Sequence, residues 1–430
     1  MEFPGQDAVT SFVDTIAYPP FAQVRYSPES PAIASVSAAT KSACSTLITA
    51  LPQESTVGVC VGSRGIDAIE RIVRTVVEEL TEAGHTPIIL PAMGSHGGAT
   101  ASGQRALLAE LGITENDSGC PIDASMETKA LATDPFPVIM GERFLEMDAV
   151  IPINRIKPHT GFTGQVESGL CKMLAVGCGK HRGAQQFHRL AAVHGFEPVL
   201  RNAIAEITST VFVPGGIGIV ENWYDDVAMI EPVPGDSLIE EEATLLAHAR
   251  ELKATLPTDS LDMLVIDEIG KDIAGTGMDT TLIGRSDRVY DGPTSDTSIE
   301  RIVVRGLSPG SHGNVNGVGL ADVVHRDVLE DADLTATYAN VLTSGALRNG
   351  ALPVVMPTDA SALAAAVRSL GDIDPASLRI AWIQNTANLA SLHLSQAVVD
   401  SLDDPALTID AWEALHFAEG EAYFEARRED

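Results

Sequence analysis

The stretch TVGVCVGSRGIDAIERIVRTVVEELTEAG, residues 56–84, decides the fold class of this chain. Its first six residues are almost wholly apolar, which is typical of a buried β-strand. After the turn GSRG, apolar side chains recur with the 3.6-residue period of an amphipathic helix, and Gly84 is placed to end it. A strand followed at once by a helix predicts a βα unit of an α/β protein. The apolar positions of the helix are Ile66, Ile69, Ile72, Val73, Val76, Val77 and Leu80.

The same pattern continues along the chain. TPIILPAM (86–93) predicts a strand, GSHGGATASG (94–103) a loop and QRALLAELG (104–112) a helix, and MDAVIPIN (147–154) predicts a third strand. This alternation favours a mainly parallel sheet, in which the loops after the strands share one edge, where ligands bind. We therefore expect Arg64, His96, Lys157 and His159 to meet at that edge.

A second α/β pattern begins near residue 258. The sequence predicts an N-terminal α/β domain over 1–257, a C-terminal α/β domain over 258–404 and a helix over 405–430 that returns to the first domain. Within the second domain we expect a strand in LDMLVIDEIG (261–270), a strand in LRIAWIQ (378–384) and helices over 333–345 and 388–402. The Pro- and Ser-rich lead-in of about forty residues is expected to lie on the surface. The Gly-rich segments 271–285 and 306–322 are interpreted as turns or as cleft-facing loops.

Charge and cysteine content limit the class of partner. The formal net charge is −31, with 59 acidic and 28 basic residues, so nucleic acid and anionic membrane surfaces would be repelled. The five cysteines form no CxxC pair, which favours a reducing compartment. No signal peptide and no membrane-spanning run is visible, so we expect a cytoplasmic protein that acts on a small molecule.

The charge balance reverses between Arg155 and Arg189. Lys157, Lys172 and four further basic residues accompany a single acid, Glu167, which predicts a local site for a small anion. The alternative is a basic surface patch that pairs with acids elsewhere. The turn GSRG offers backbone N–H groups and Arg64 to a phosphate, although many βα turns contain Gly and Ser.

Three further residues could carry chemistry. His96 lies between small residues and can exchange protons near neutral pH, or it can be a structural histidine. Lys172 lies in an apolar setting, where a lysine can become a nucleophile or can simply extend its amine to water. His188 falls on a predicted helix, where a single histidine is more often structural than a metal ligand.

Taken in order, these residues resemble the nickel-pincer-dependent lactate racemase family. The set is His96 in a Gly-rich loop, His159 before GFTG, Lys172 before MLAVG and His188 in the dipeptide FH. The position of Gly177 between Lys172 and His188 also matches that family. The resemblance extends from the Gly62 turn to beyond His188, and more loosely through the second domain.

The resemblance implies two α/β domains with the active site in the cleft between them. It implies racemisation or epimerisation of a small 2-hydroxy acid by hydride transfer to a pyridinium nucleotide that holds nickel through two sulfurs and a ring carbon. Lys172 would carry this cofactor through a thioamide bond, and His188 would be the protein ligand of nickel. His96 and His159 would be the acid/base pair, one on each face of the substrate.

The resemblance also implies how the cofactor would be held and supplied. Ser63, Arg64 and Gly65 would bind its phosphate, Lys157 would bind an anion beside His159, and cofactor-biosynthesis proteins would be partners. The sequence departs from the family at Gly97, where arginine is usual, and in the longer link QVESG (165–169). Lys271 is the candidate for a family residue of the second domain. These departures point to a 2-hydroxy acid other than lactate, or to another reaction.

Two other functions stay open at this point. One is a divalent-metal hydrolase or lyase with His96, His159 and His188 as ligands. The other is a non-catalytic protein that binds an anionic metabolite through Arg64 and Lys157. The sequence does not settle whether the chain forms a homo-oligomer.

Overall fold

The computed structural model describes residue 5 and residues 16–131, 134–287, 295–330 and 332–426. The chain divides into two compact units, which we call the central unit (Ser30–Lys253) and the terminal unit (Met1–Glu29 with Ala254–Asp430). The observed division after Lys253 lies close to the predicted one after residue 257. The described residues before Ser30 (residue 5 and residues 16–29) belong to the terminal unit and not to the first domain, to which we had assigned them.

The strands of the described chain form three sheets. In chain order they are β1 (Phe21–Tyr26), β2 (Thr56–Val61), β3 (Thr86–Pro91), β4 (Thr128–Leu131), β5 (Val138–Gly141), β6 (Ala149–Arg155), β7 (Gly215–Glu221), β8 (Val227–Pro234), β9 (Ser260–Ile269), β10 (Ser298–Leu307), β11 (Val323–His325), β12 (Val354–Met356), β13 (Ile380–Asn385), β14 (Asn388–Ser395), β15 (Leu407–Ala418) and β16 (Glu421–Ala426). The central unit holds the sheet β3-β2-β6-β7-β8 and the pair β4-β5, and the terminal unit holds the sheet β12-β11-β10-β9-β13-β14-β1-β15-β16.

The helices fall between these strands. They are α1 (Val36–Ile48), α2 (Ile69–Glu82), α3 (Ala101–Glu110), α4 (Glu115–Ser118), α5 (Glu142–Leu145), α6 (Leu170–Lys172), α7 (Lys180–His194), α8 (Phe196–Thr210), α9 (Leu238–Leu252), α10 (Thr280–Ile283), α11 (Asp327–Glu330), α12 (Leu334–Ser344), α13 (Asp359–Arg368) and α14 (Gln396–Val399). A π-helix spans Met173–Gly177, and 3₁₀ turns lie at Gly97–Ala99, Gly235–Ser237, Pro309–Ser311, Val318–Leu320, Leu347–Gly350 and Pro375–Ser377. Within the described residues no helix combines the length and the apolar character needed to cross a membrane.

The central sheet confirms the predicted α/β architecture. Strand β2 pairs in parallel with β3 on one side and with β6 on the other, and β6 pairs in parallel with β7. Only β8, at the edge, runs antiparallel to its neighbour β7. The turns after β2, β3 and β6 therefore share the carboxyl edge of the sheet, as the alternation of strands and helices predicted.

The helical stripe of residues 66–80 packs as its period predicts. Ile72 and Val76 on α2 are fully buried in one apolar cluster with Leu47 of α1 and Val59 of β2. Each such side chain contributes roughly 1.5–3 kcal/mol by leaving water. This packing holds β2 in place, and with it the turn that follows.

Three sequence predictions in the terminal unit are wrong. The lead-in carries β1, in which Phe21 is fully buried between β14 and β15, although its prolines indicated a surface segment. Most of the helix predicted over 388–402 is strand β14, which continues from β13 by a hairpin. Both segments alternate apolar and polar residues over only a few positions, and their pairing partners lie far away in the sequence.

The predicted helix over 405–430 is also wrong. The chain forms the antiparallel hairpin β15–β16 there, with residues 427–430 outside the described part. Ala, Glu and Leu favour a helix locally, but Ile409 and Ala411 flank Asp410, and Leu415 and Phe417 flank His416, an alternation that is typical of a strand. The turn residues Glu419 and Gly420 both have positive φ, which is typical of a two-residue hairpin turn.

Candidate active site

Lys172 ends the short helix α6 and leads into the π-helix Met173–Gly177. Single π-turns of this kind are frequent at functional sites. Gly177 is required here because an added Cβ would lie 2.4 Å from the carbonyl oxygen of Ala92. The Gly177 carbonyl in turn accepts the N–H of Gly94 at 3.1 Å, so the π-helix contacts the turn that carries His96.

The Lys172 amine lies over two aromatic rings. Its Nζ is 5.7 Å from the ring centre of Phe162 and 6.0 Å from that of Phe196, and these two rings are stacked 3.6 Å apart. Burial, followed by the charges of Lys157 and Arg64, lowers the pKa of Lys172 to about 7, while Glu167 acts in the opposite direction. The half-buried side chain therefore holds its amine against the faces of the two rings.

Glu167 organises the loop that carries His159. Its buried carboxylate accepts the N–H groups of His159 at 2.5 Å and of Gly164 at 3.1 Å, and Arg250 of α9 donates to it at 2.6 Å. Backbone hydrogen bonds between Lys157 and Ser168 (2.9 and 3.2 Å) close the base of the loop. The longer link QVESG thus supplies the residue that shapes the loop.

His159 lies against Phe162, with ring centres 4.2 Å apart. Its Nδ1 accepts the N–H of Gly161 at 2.9 Å, so the neutral ring carries its proton on Nε2. Burial, followed by the charges of Lys172, His188 and Lys157, holds the pKa of His159 well below its usual range. The ring is therefore uncharged near neutral pH.

His188 lies in the middle of α7, next to the buried ring of Phe187. Burial and the charge of Lys172 lower the pKa of His188 to about 4. A neutral imidazole keeps a nitrogen lone pair, which a metal ligand requires. The charges of Lys172 and His188 act on His159, and the charge of Lys172 acts on His188, which is consistent with the three residues lying near one another.

His96 lies in the turn after β3 and is exposed. Its Nδ1 makes a short hydrogen bond with Oγ of Ser63, which lies in the turn after β2. The two turns therefore meet, as the parallel strands predicted. Ser63, expected at a cofactor phosphate, has the His96 ring as its partner in this structure.

The remaining predicted anion-binding residues lie on the same edge. Arg64 and Lys157 are exposed, and an added Cβ at Gly65 would meet nothing within 4 Å. The packing of the chain therefore does not require glycine at position 65. The space beside its Cα is open, so a ligand could approach the backbone there. Arg155, by contrast, pairs with the buried carboxylate of Glu221.

Several residues of the site were missed at the sequence level. Glu167 was visible as the lone acid of a basic window, but nothing marked it as the centre of the loop. Glu242 of α9 carried no local signal. Its Oε2 accepts the N–H of Cys171 at 2.7 Å, while its Oε1 is buried and has no hydrogen-bond partner among the described residues. Burial raises the pKa of Glu242 to about 7, although hydrogen bonds from Cys171 and Leu170 act against this.

Within the described residues, one group of three side chains has the spacing of a metal site: His325, Asp359 and Glu421. The Nδ1 of His325 accepts the N–H of Asp327 at 3.2 Å, so its proton is on Nε2, the nitrogen that points to Glu421. In this tautomer the nitrogen that faces Glu421 has no lone pair to offer a metal. Among the described residues, His96, His159 and His188, the ligands of the divalent-metal alternative, do not form a group with the spacing of a metal site.

The Gly-rich segments 271–285 and 306–322 are interlocked turns after β9 and β10. The N–H of Lys271 donates to Oγ of Ser311 at 3.0 Å, and Oγ of Ser308 donates to Asp272 at 2.7 Å. Gly277, at φ +80°, is required because a Cβ there would lie 2.0 Å from the Asn316 carbonyl.

The chain is similar to a lactate racemase in the comparison with solved structures. No protein-family model and no curated protein matches the sequence. The lactate racemase apoprotein from Thermoanaerobacterium thermosaccharolyticum is similar at 13% sequence identity and a TM-score of 0.46, over 86% of this chain and 89% of that one. A likeness at this identity and score assigns neither a reaction nor a substrate.

Proposed function

We propose that this chain is an isomerase that racemises or epimerises a small 2-hydroxy acid, with a nickel-pincer nucleotide attached to Lys172. The observation that carries the proposal is the Lys172 amine, which is held over two stacked rings with its pKa lowered to about 7. About half of such amines are uncharged at pH 7, and the uncharged amine is the nucleophile in acylation.

The residues around Lys172 fit a flat, phosphate-bearing group. Phe162 and Phe196 offer aromatic surface, Arg64 and Lys157 offer positive charge to a phosphate, and the neutral His188 is a donor that suits a late first-row metal. When bound, such a group supplies the hydride acceptor that racemisation at a hydroxyl-bearing carbon requires. The contribution of the chain is to bind the carboxylate, orient the hydroxyl group and hold its proton.

His96 and His159 divide the proton transfer between them. With Ser63 accepting from Nδ1–H, the His96 ring keeps a lone pair on Nε2 and can take the hydroxyl proton. His159 has its proton on Nε2 and donates a hydrogen bond to the oxygen of the substrate. For the opposite enantiomer the two rings exchange these roles, which requires His159 to release the Gly161 N–H.

The test begins with production of the chain together with cofactor-making proteins and nickel. We expect a mass adduct on the peptide that contains Lys172, one nickel per chain and interconversion of the enantiomers of at least one 2-hydroxy acid by chiral chromatography. Lys172→Ala abolishes all three, whereas Lys129→Ala, at an exposed lysine of the same unit, changes none. An unmodified Lys172 under these conditions contradicts the proposal.

The same preparation separates the alternatives. Stoichiometric zinc or manganese on a chain with unmodified Lys172 supports the hydrolase or lyase. Tight binding of a 2-hydroxy acid in calorimetry, without turnover and insensitive to chelators, supports the anion-binding protein, for which Arg64 and Lys157 remain the candidate contacts.

A further inference from the structure

Lys180 is a second buried lysine near the site, and none of the roles described so far uses it. It is the first residue of α7 and is 1% exposed. Its Nζ donates to the carbonyl oxygen of Pro91 at 2.7 Å and to Oε1 of Gln104 at 3.1 Å, and it lies 5.4 Å from the ring centre of Phe144. Its backbone has a φ of +54°, a left-handed conformation that a non-glycine residue keeps only where its surroundings hold it.

Gln104 continues the connection towards His96. The side chain is fully buried on α3, and its Nε2 donates to the carbonyl oxygen of Gly94 at 3.1 Å and to that of His96 at 3.5 Å. The two polar atoms of the Gln104 amide therefore contact different segments. Oε1 accepts a hydrogen bond from Lys180, and Nε2 donates to the turn that carries His96.

The hydrogen-bond partners of this pair all lie in one short segment. Pro91 is the last residue of β3, and Gly94 and His96 lie in the turn that follows. Lys180 belongs to the helix that also carries His188. A single pair of buried side chains therefore connects the helix of His188 with the turn of His96.

An apolar residue would fill the space of Lys180 at lower cost. A buried amine loses its hydration, and burial lowers the pKa of Lys180 to about 8. Two hydrogen bonds to fixed acceptors offset part of that cost and give what an apolar side chain cannot, namely a defined direction.

We propose that Lys180 and Gln104 are positioning residues that hold the turn of His96 against helix α7 and so set the orientation of the His96 ring towards Ser63. The proposal rests on the proposed function only for the catalytic use of His96. The orientation itself can be measured on the chain without cofactor or substrate.

The experiment uses ¹⁵N-histidine-labelled full-length chain and reads the ring nitrogens of His96 by NMR. We expect wild-type His96 to show one hydrogen-bonded tautomer. In Gln104→Glu, which keeps the acceptor for Lys180 and removes the donors to Gly94 and His96, the His96 signals move towards the average of the two tautomers. Hydrogen exchange of the backbone amides in 94–100 rises roughly five- to tenfold, as loss of about one hydrogen bond predicts. The His159 signals stay unchanged and act as the internal control.

Lys180→Met is the second variant, and Lys129→Met, at an exposed lysine, is its matched control. We expect Lys180→Met to shift the His96 signals as Gln104→Glu does, and Lys129→Met to leave them as in the wild type. If Lys180→Met does not fold, Gln104→Glu decides. Folded variants with wild-type His96 signals and wild-type exchange in 94–100 overturn the proposal.

With loaded enzyme, the same variants lower kcat and leave KM unchanged. If the chain binds no cofactor, the proposed function is contradicted, but the His96 tautomer can still be measured by NMR. The two failures are therefore distinguishable.

Discussion

Two clusters of charge, one in each unit, differ in how their cations are matched. In the terminal unit, Arg305 donates to Asp267 at 2.6 Å and to Asp359 at 2.5 Å, and it lies 4.9 Å from the ring centre of Trp382. In the central unit, Lys172 lies over Phe162 and Phe196, and the carboxylate that acts on it, Glu167, is used by backbone N–H groups and Arg250.

The two clusters have opposite effects on their cations. Burial alone would lower the pKa of Arg305, but hydrogen bonds and charges of Asp359 and Asp267 raise it instead. Burial and neighbouring cations lower the pKa of Lys172 to about 7. Removal of a matched cation leaves its buried carboxylates uncompensated, whereas removal of an unmatched cation relieves a desolvation penalty. The same chemical change should therefore have opposite signs in the two units.

The largest effect is expected for Arg305→Met. Removal of the guanidinium leaves Asp267 and the buried Asp359 without their partner, so we expect the terminal unit to lose about 3–5 kcal/mol of unfolding free energy. Hydrogen exchange of β9 and β10 measures this for the one unit alone. Arg25→Met removes an exposed ion pair with Asp410 in the same unit, which water and salt screen, and should cost far less. Equal losses in the two variants would contradict the distinction between the clusters.

Lys172→Met should stabilise the central unit. Since the folded-state pKa of Lys172 is about 7 and the usual value is 10.5, folding carries a penalty that is complete below about pH 7. It declines as the pH rises and is gone above the unfolded value. We expect a gain of about 2–4 kcal/mol at pH 7 that shrinks towards pH 10, read from exchange of β2 and β6. Lys129→Met should show no such trend, and a destabilised Lys172→Met would refute the unmatched-cation interpretation.

A smaller effect of opposite pH dependence is expected at Glu242. Burial raises the pKa of its carboxyl to about 7, so its penalty is complete above that pH and absent below the usual value of 4.5. Glu242→Gln keeps an acceptor for the Cys171 N–H and should stabilise the central unit by about 1–2 kcal/mol at pH 8 and by nothing at pH 4. The exposed neighbour Glu241, changed to Gln on the same helix, is the matched control. A gain that does not depend on pH would place the cause outside the ionisation of Glu242.

The candidate site was only partly predictable. Arg64, His96 and His159 follow β2, β3 and β6, which are neighbouring strands of the central sheet, and parallel order is enough to place them on one edge. Lys172 and His188 entered through a resemblance of spacing, and the structure brings them into electrostatic contact with His159. Their roles in catalysis stay predictions.

The sequence by itself determined the α/β class and the edge of the central sheet, because both follow from local periodicity, which one helix or strand displays without any partner. Only the tertiary structure decided the features that join distant segments. Examples are β1 between β14 and β15, the stacked Phe162 and Phe196, and the Lys180–Gln104 connection. Each of these depends on which surfaces meet after folding. Burial and unmatched charge set the pKa values of the site residues, and both arise only when those surfaces are in contact.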